Sequence, residues 1–351
     1  MSSKNEKPAA KLSESNPLIS WLKKNLGALI ALIALVLILS MTTSTFMVRT
    51  NLLSVLRNIS VNTLIAFGIT CVLISGGIDL SVGSTVAASG VIAVRLANAG
   101  TPVFACVLAA MVFGMMIGLL NGYIISHTTL PPFIVTLSTQ IIVRGVSYIL
   151  TGGQPTQCTN DAFNNLGTGY LFGLPIPVIA DILAAIALIF ILYRTKFGRH
   201  VYAIGGNREA ARYAGVDVKK VQILVFIISG IMASLAGVIL AARLYSGQPA
   251  VGEGFERDAI AASVLGGTSF NGGIGTLGGT VIGALIIGVL YNGMNLLRIN
   301  TYWQYVVKGS VILGAVYIDF LKKSKAFDRF TITKHKKSAA PEQAAEEKKE
   351  K

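Results

Sequence analysis

Apolar stretches of about 20 residues recur along this chain, the length an α-helix needs to cross the hydrocarbon core of a bilayer. Lipid offers no water to backbone N–H and C=O groups, so each spanning segment must satisfy them within the protein. Ten such segments are expected, at about residues 27–47, 61–76, 83–98, 101–125, 131–150, 174–193, 221–243, 258–270, 275–297 and 303–320. The expected fold is therefore all-α, a polytopic membrane helix bundle of about ten transmembrane helices. Composition agrees: 53% of residues are apolar and 13% charged, against about 25% charged in a soluble domain. The eighth segment is too short to cross alone, so it is expected to be broken or partly re-entrant.

The net charge of +14 invites a nucleic-acid reading. Its distribution argues otherwise, because 22 of the 30 Lys and Arg fall in residues 1–26, 194–220 and 322–351. Basic segments beside spans follow the positive-inside rule, and no aromatic-interleaved basic surface accompanies them. Even numbers of spans separate the three segments, so all can share the cytoplasmic side. The organisation expected is a cytoplasmic tail (1–26), a membrane domain (27–320) with a cytoplasmic loop (194–220), and a disordered cytoplasmic tail (321–351). Both termini are then cytoplasmic, and bilayer lipid is the immediate surrounding. Loops 151–173 and 244–257 are expected as turn-rich surface connectors on the other side. Cys71, Cys106 and Cys158 are scattered, and His127, His200 and His335 form no metal motif.

Two glycine-rich interruptions stand between apolar spans. The first is Gly76-Gly77-Ile78-Asp79-Leu80-Ser81-Val82-Gly83-Ser84, and the second runs from Leu265-Gly266-Gly267-Thr268 to Thr280. Broken backbone at membrane depth must be buried in protein or line a wet cavity, and paired interruptions point to internal repeats about a central pathway. Gly76, Gly77, Asp79, Ser81, Asn121, Gly266 and Gly267 are therefore the candidate pathway or gating residues. Asp79 is the one carboxylate expected near span interiors. It either faces a pathway or, as favoured here, caps the next helix near Val82. Asn121, Ser138 and Gln140 could donate to a hydroxylated solute but are expected mainly as helix–helix hydrogen bonds, and Gly283 and Gly288 as close-packing positions. Arg95 and Arg144 either snorkel or face a polar path. Lys308 is read as too shallow to be functional.

The loop 194–220 carries Gly206-Asn207-Arg208-Glu209-Ala210-Ala211-Arg212-Tyr213-Ala214-Gly215. Asn207 suits a helix N-cap, Glu209 the first turn, Ala210 and Ala211 the interior, and Gly215 the left-handed stop. So short a helix is unstable alone and needs something to pack against. On a cytoplasmic face, that is naturally a soluble partner protein. The chain has no G-x-x-x-x-G-K-[ST] and no nucleophile–base or metal cluster in its sequence, so neither an ATP site nor enzymatic chemistry is expected in it.

These segments resemble the membrane permease of bacterial ABC importers for monosaccharides, ribose-permease type. The resemblance rests on Ser75–Ser84, on Gly198-Arg199 with Ala203-Ile204-Gly205-Gly206-Asn207, and on Asp258-Ala259-Ile260-Ala261-Ala262 with Leu265–Ser269. It covers about residues 27–320. Glu209-Ala210-Ala211 and Gly215 are similar to the cytoplasmic Glu-Ala-Ala pattern with which the wider class docks on its ATPase. The Leu-Pro ending of that pattern is missing after Lys220. The resemblance implies a homodimer in the bacterial inner (plasma) membrane, moving a ribose-like sugar. Its partners would be a cytoplasmic ATP-binding subunit, which carries ATP and Mg, and an extracytoplasmic sugar-binding protein. Docking would involve Gly206, Asn207, Glu209, Ala210, Ala211 and Gly215. The chain itself would hold no cofactor. Stand-alone facilitators and ion-coupled carriers are the rival reading.

Overall fold

The computed structural model describes residues 17–317 and Phe320. Tail residues 1–16 and 321–351 lie outside the described residues. The helices are α1 (Pro17–Thr42), α2 (Arg49–Ile74), α3 (Val82–Asn98), α4 (Val103–His127), α5 (Pro132–Thr151), α6 (Asp161–Thr168), α7 (Ile176–Arg194), α8 (Lys196–Gly206), α9 (Arg208–Tyr213), α10 (Val218–Arg243), α11 (Phe255–Leu265) and α12 (Leu277–Leu296). A further helix, α13, covers residues 301–317. Seven helices among the described residues are long and apolar enough to cross a membrane. All ten expected spans fall on helices, and the fold is an all-α polytopic bundle.

α2 and α10 form the core, each with 61% of its apolar window buried. α10 packs closely on α4, where Gly114, Gly118 and Gly122 recur every fourth residue. A Cβ at Gly122 would stand 2.7 Å from Ile223 Cα, and one at Gly118 would meet Phe226 O. Small residues at this spacing let helices approach closely where no hydrophobic force separates helix from lipid. Gly283 and Gly288 behave as expected, lying against Ala262 O and the Ile59 side chain.

α2 begins twelve residues before the span read from hydropathy. Polar residues interrupt its first half, and tertiary contacts satisfy them. Asn51 exchanges bonds with Asn292 at 3.1 and 2.9 Å, and Arg57 donates to Thr168 O at 3.3 Å.

The two expected surface connectors are not loose loops. The first folds into β1 (Thr156–Gln157), α6, and a small β2–β3 hairpin (Tyr170–Leu171, Leu174–Pro175). Asn160 caps α6, accepting from Phe163 N at 3.0 Å, and Phe163 is fully buried. The second opens with β4 (Ser246–Gly247), antiparallel to β1. The chain then runs non-helically beside α3, with Gly247 close to Val91 and Gly252 close to Gly83. Arg144 Nη1 donates to Pro249 O and Val251 O, both at 2.6 Å. That bonding satisfies backbone carbonyls that lie outside helix and sheet.

The eighth span is thus composite. α11 has 11 residues, about 16 Å at 1.5 Å per residue, roughly half the core thickness. The non-helical stretch before it supplies the other half. Together they carry the chain from the β1–β4 end to the α8–α9 end. α13 runs antiparallel to α12, since Gln304 bonds Asn295 and Lys308 lies over the Tyr291 ring. Asn25 of α1 lies near Gly279 at the start of α12. The first turns of α1 and the last turns of α13 therefore point to the α8–α9 end, consistent with the even count of spans.

Candidate coupling and pathway site

Thr195 caps α8, accepting from Gly198 N at 3.3 Å. Asn207 Oδ1 accepts from Ala210 N at 2.9 Å and starts α9. Glu209 sits in its first turn. Gly215 has φ +83°. Its N–H bonds Arg212 O at 3.0 Å, and that of Val216 bonds Ala211 O at 3.1 Å, the paired closing bonds of a Schellman stop. Ala211 is buried against the bundle. Asn207, Glu209, Ala210, Arg212 and Tyr213 are exposed. Arg208 ties α9 to α10 through Gln222 Oε1 at 3.1 Å. The handle read from sequence is therefore anchored by Ala211 and Arg208 and presents Glu209 and its neighbours outward.

Sequence gave no sign of what α8 rests on. It rests on both glycine-rich interruptions at once. Gly273 N donates to Ile74 O at 2.9 Å, joining the second interruption to the end of α2. Gly205 sits over that bond, and a Cβ there would strike Ile74 O and Gly273 N. Tyr202 Oη donates to Gly275 O at 2.8 Å. Burial, with Tyr193 beside it, pushes the Tyr202 phenol well above the ordinary tyrosine range, so it stays a neutral donor. Gly76, Gly267, Gly272 and Gly273 all have positive φ, which glycine adopts without a Cβ penalty.

In the first interruption Asp79 is 1% exposed. Its Oδ1 accepts from Ser81 N at 3.0 Å and Ser81 Oγ at 2.6 Å, and its Oδ2 from Ser229 Oγ at 2.7 Å. The carboxylate serves the turn before α3 and ties it to α10. The backbone donor is Ser81 rather than one near Val82, because the side chain closes on the residue two ahead. Asn121 is fully buried, donating to Ser81 Oγ at 2.9 Å and accepting from Thr139 Oγ1 at 2.7 Å. It is a helix–helix tie between α3, α4 and α5. Gly77 packs on Val72 and Phe226.

In the second interruption, Gly266 lies against Gly279, and Gly267 has open space about it. Thr276 caps α12, accepting from Gly279 N at 3.1 Å. Thr70 of α2 meets Ser263 of α11 at 2.9 Å and Thr280 of α12 at 2.7 Å, all fully buried. These hydroxyls tie α2, α11 and α12 together beside the second interruption, whose Gly272 lies against Gly76 of the first.

Asp79 is not alone among the spans. Asp181 of α7 has Oδ1 buried with no hydrogen-bond partner, and Glu256 and Asp258 of α11 are 5% and 7% exposed. Asp258 accepts from Tyr291 Oη at 2.6 Å and pairs with Lys308 at 3.6 Å. Lys308, passed over in the sequence, closes a charged link between α11, α12 and α13. Hydropathy missed these acids because Asp181 stands alone in an apolar run, and Glu256 and Asp258 flank Arg257 at a helix start. Among the described residues no three His, Cys, Asp or Glu come together as a metal cage.

Residues 51–316 match the family model described as the branched-chain amino acid transport system / permease component. The chain belongs to this permease family. Within it, the chain is 44% identical over 303 residues to the ribose import permease protein RbsC of Bacillus subtilis (strain 168), covering 86% of this chain and 94% of that one. It is 42% identical to the protein of the same name from Escherichia coli (strain K12), covering 87% and 96%. It is 40% identical to the D-allose transport system permease protein AlsC of Escherichia coli (strain K12), covering 80% and 87%. The likeness to ribose-type permeases drawn from the motifs thus holds over most of the chain.

Arg95 and Arg144 do structural work at the β1–β4 end: Arg95 donates to Leu150 O at 2.5 Å, and Arg144 clamps the non-helical turn before α11. Ser138 bonds only within its own helix, to Ile134 O at 2.9 Å. The three cysteines are free and buried.

Proposed function

We propose that this permease is the membrane-spanning subunit of an ATP-driven importer that takes a monosaccharide, ribose or a related sugar, into a bacterial cell. In this reading two copies enclose the sugar path in the plasma (inner) membrane, with both termini and the α8–α9 handle in the cytoplasm. An external binding protein delivers the sugar. A separate subunit holds ATP and Mg, and its closure pushes on the exposed face of α9 at Glu209. The chain needs no cofactor of its own. The family description names amino acids, whereas the relatives at 40–44% identity name ribose and allose, which favours a sugar.

One observation carries the mechanism. The handle is stacked through Gly205 on the bond between Ile74 and Gly273, so displacing α8 must disturb both interruptions together. Packed elements switch between discrete arrangements rather than deforming smoothly, and ATP and the loaded binding protein each act by contacting the two states differently. Purifying the tagged chain from its native membrane tests this. An ATPase subunit should co-purify and be lost from a Glu209→Ala, Gly215→Ala variant that still inserts and folds. Unchanged sugar uptake by that variant refutes the docking assignment. Uptake driven by sodium or pH without ATP refutes the importer.

A further inference from the structure

α5 carries a polar stripe at four-residue spacing: Thr136, Gln140, Arg144 and Tyr148. Residues four apart lie on one face of a helix. The adjoining face exposes Ile134, Leu137, Ile141, Ile142 and Ile149. The stripe starts at the first interruption, where Thr136 Oγ1 donates to Ile78 O at 3.3 Å. It ends in an open pocket of about 340 Å³ lined by Gln140, Ile141, Arg144, Tyr148, Ala250 and Glu253, at the lower end of the roughly 300–1,000 Å³ usual for small-molecule sites.

We propose that this cavity, between the outer half of α5 and the turn at 248–254, is where the permease first grips its solute, a small neutral polyhydroxyl molecule. The proposal rests on the importer reading and names the side chains that touch the cargo. A face bearing Arg144, Gln140 and Glu253 is costly against lipid, so it lines a wet space or a partner. Each sugar hydroxyl both donates and accepts. Gln140 and Tyr148 can do the same, and Glu253 supplies acceptors. Arg144 and Glu253 are of opposite sign, so the cavity favours a neutral solute over an ion. Ile141, Ala250 and the Tyr148 ring offer apolar surface to C–H faces.

One group of the wall is also unfinished: Arg144 Nη2 is buried without a hydrogen-bond partner, as is Glu256 Oε2 behind the wall, an exception in native proteins that calls for an explanation. Glu256 Oε2 lies against Gly83 at the start of α3, 2.5 Å from where a Cβ would stand. The same arginine that borders the cavity holds Pro249 O and Val251 O. Solute pressing on this turn therefore acts directly on the non-helical half of the eighth span and, through Glu256, on the first interruption.

The test uses the whole importer, with the permease, ATP-binding subunit and sugar-binding protein together in proteoliposomes. Ribose carried per ATP hydrolysed is compared for wild type, Gln140→Ala, Tyr148→Ala and Glu253→Gln. The expected result is a fall of roughly tenfold, as for one lost contact of ordinary strength. Ratios equal to wild type in all three overturn the site. Should those variants fail to fold, Ala250→Cys in an otherwise native chain decides. Ala250 is exposed and the native cysteines are buried. Labelling of that cysteine by a membrane-impermeant maleimide should slow when ribose is being transported. Identical labelling rates with and without ribose overturn the proposal. A wild-type assembly that hydrolyses ATP yet carries no ribose, allose or xylose strikes instead at the importer reading.

Discussion

Gly205→Ala is the most direct perturbation of the joint beneath the handle. A methyl group there meets Ile74 O and Gly273 N, both backbone atoms, so no side chain can swing away to accommodate it. Overpacking of a tight site costs about 1–3 kcal/mol. Forcing apart the 2.9 Å bond between Gly273 N and Ile74 O adds about 1–3 kcal/mol if one of the two groups is left unpaired. The sum is about 2–6 kcal/mol. Gly206→Ala, one residue on, meets nothing within 4 Å, and alanine favours a helix over glycine by about 1 kcal/mol. Thermal unfolding of the detergent-purified chain should therefore show Gly205→Ala clearly destabilised and Gly206→Ala unaffected or slightly stabilised. In proteoliposomes, strain that falls on one of two conformational states shifts their balance tenfold for every ~1.4 kcal/mol. Gly205→Ala should accordingly alter uptake and ATP hydrolysis by different factors. Equal stability of the two alanine variants would show that α8 is not seated as described.

Asp79→Ala should abolish a monodisperse preparation, because the Ser81 and Ser229 donors lose their acceptor in a dry site at roughly 1–3 kcal/mol each. Asp79→Asn, which keeps shape and two acceptor sites, should be milder, and size-exclusion profiles distinguish them. Lys308→Met should cost roughly 1–3 kcal/mol by leaving the Asp258 carboxylate without its cation, with the Tyr291 hydroxyl still donating to it. Adding Asp258→Asn should recover much of that loss, and a thermal-stability double-mutant cycle with no coupling would contradict the ion pair. Asn121→Ala should lower the unfolding midpoint by removing both a donor to Ser81 and an acceptor for Thr139, an effect of about 1–3 kcal/mol. A midpoint equal to wild type would place Asn121 outside the α3–α4–α5 tie.

The sequence by itself determined the solvent and therefore the fold class. Apolar length fixes spanning helices because lipid leaves backbone groups no other partner. Local chemistry also fixed the handle: Asn207, Glu209 and Gly215 act within a few residues of themselves, and cap, first turn and stop lie where their types require. Both glycine-rich interruptions were legible for the same reason. Their meeting was not. Ile74, Gly205 and Gly273 are far apart in the chain, and nothing local in a glycine says which backbone it will approach. The polar first half of α2 looked unfit for a span until Asn292 and the Thr168 carbonyl satisfied it. Nothing local marked the acids at Asp181, Glu256 and Asp258, which burial sets in protein. Residues 246–254 looked like a surface loop, because whether irregular backbone can enter a membrane depends on a distant donor. Here that donor is the Arg144 guanidinium. Tertiary structure decides where the polar groups of a membrane chain find their partners, since in a dry interior each must find one and sequence proximity rarely supplies it.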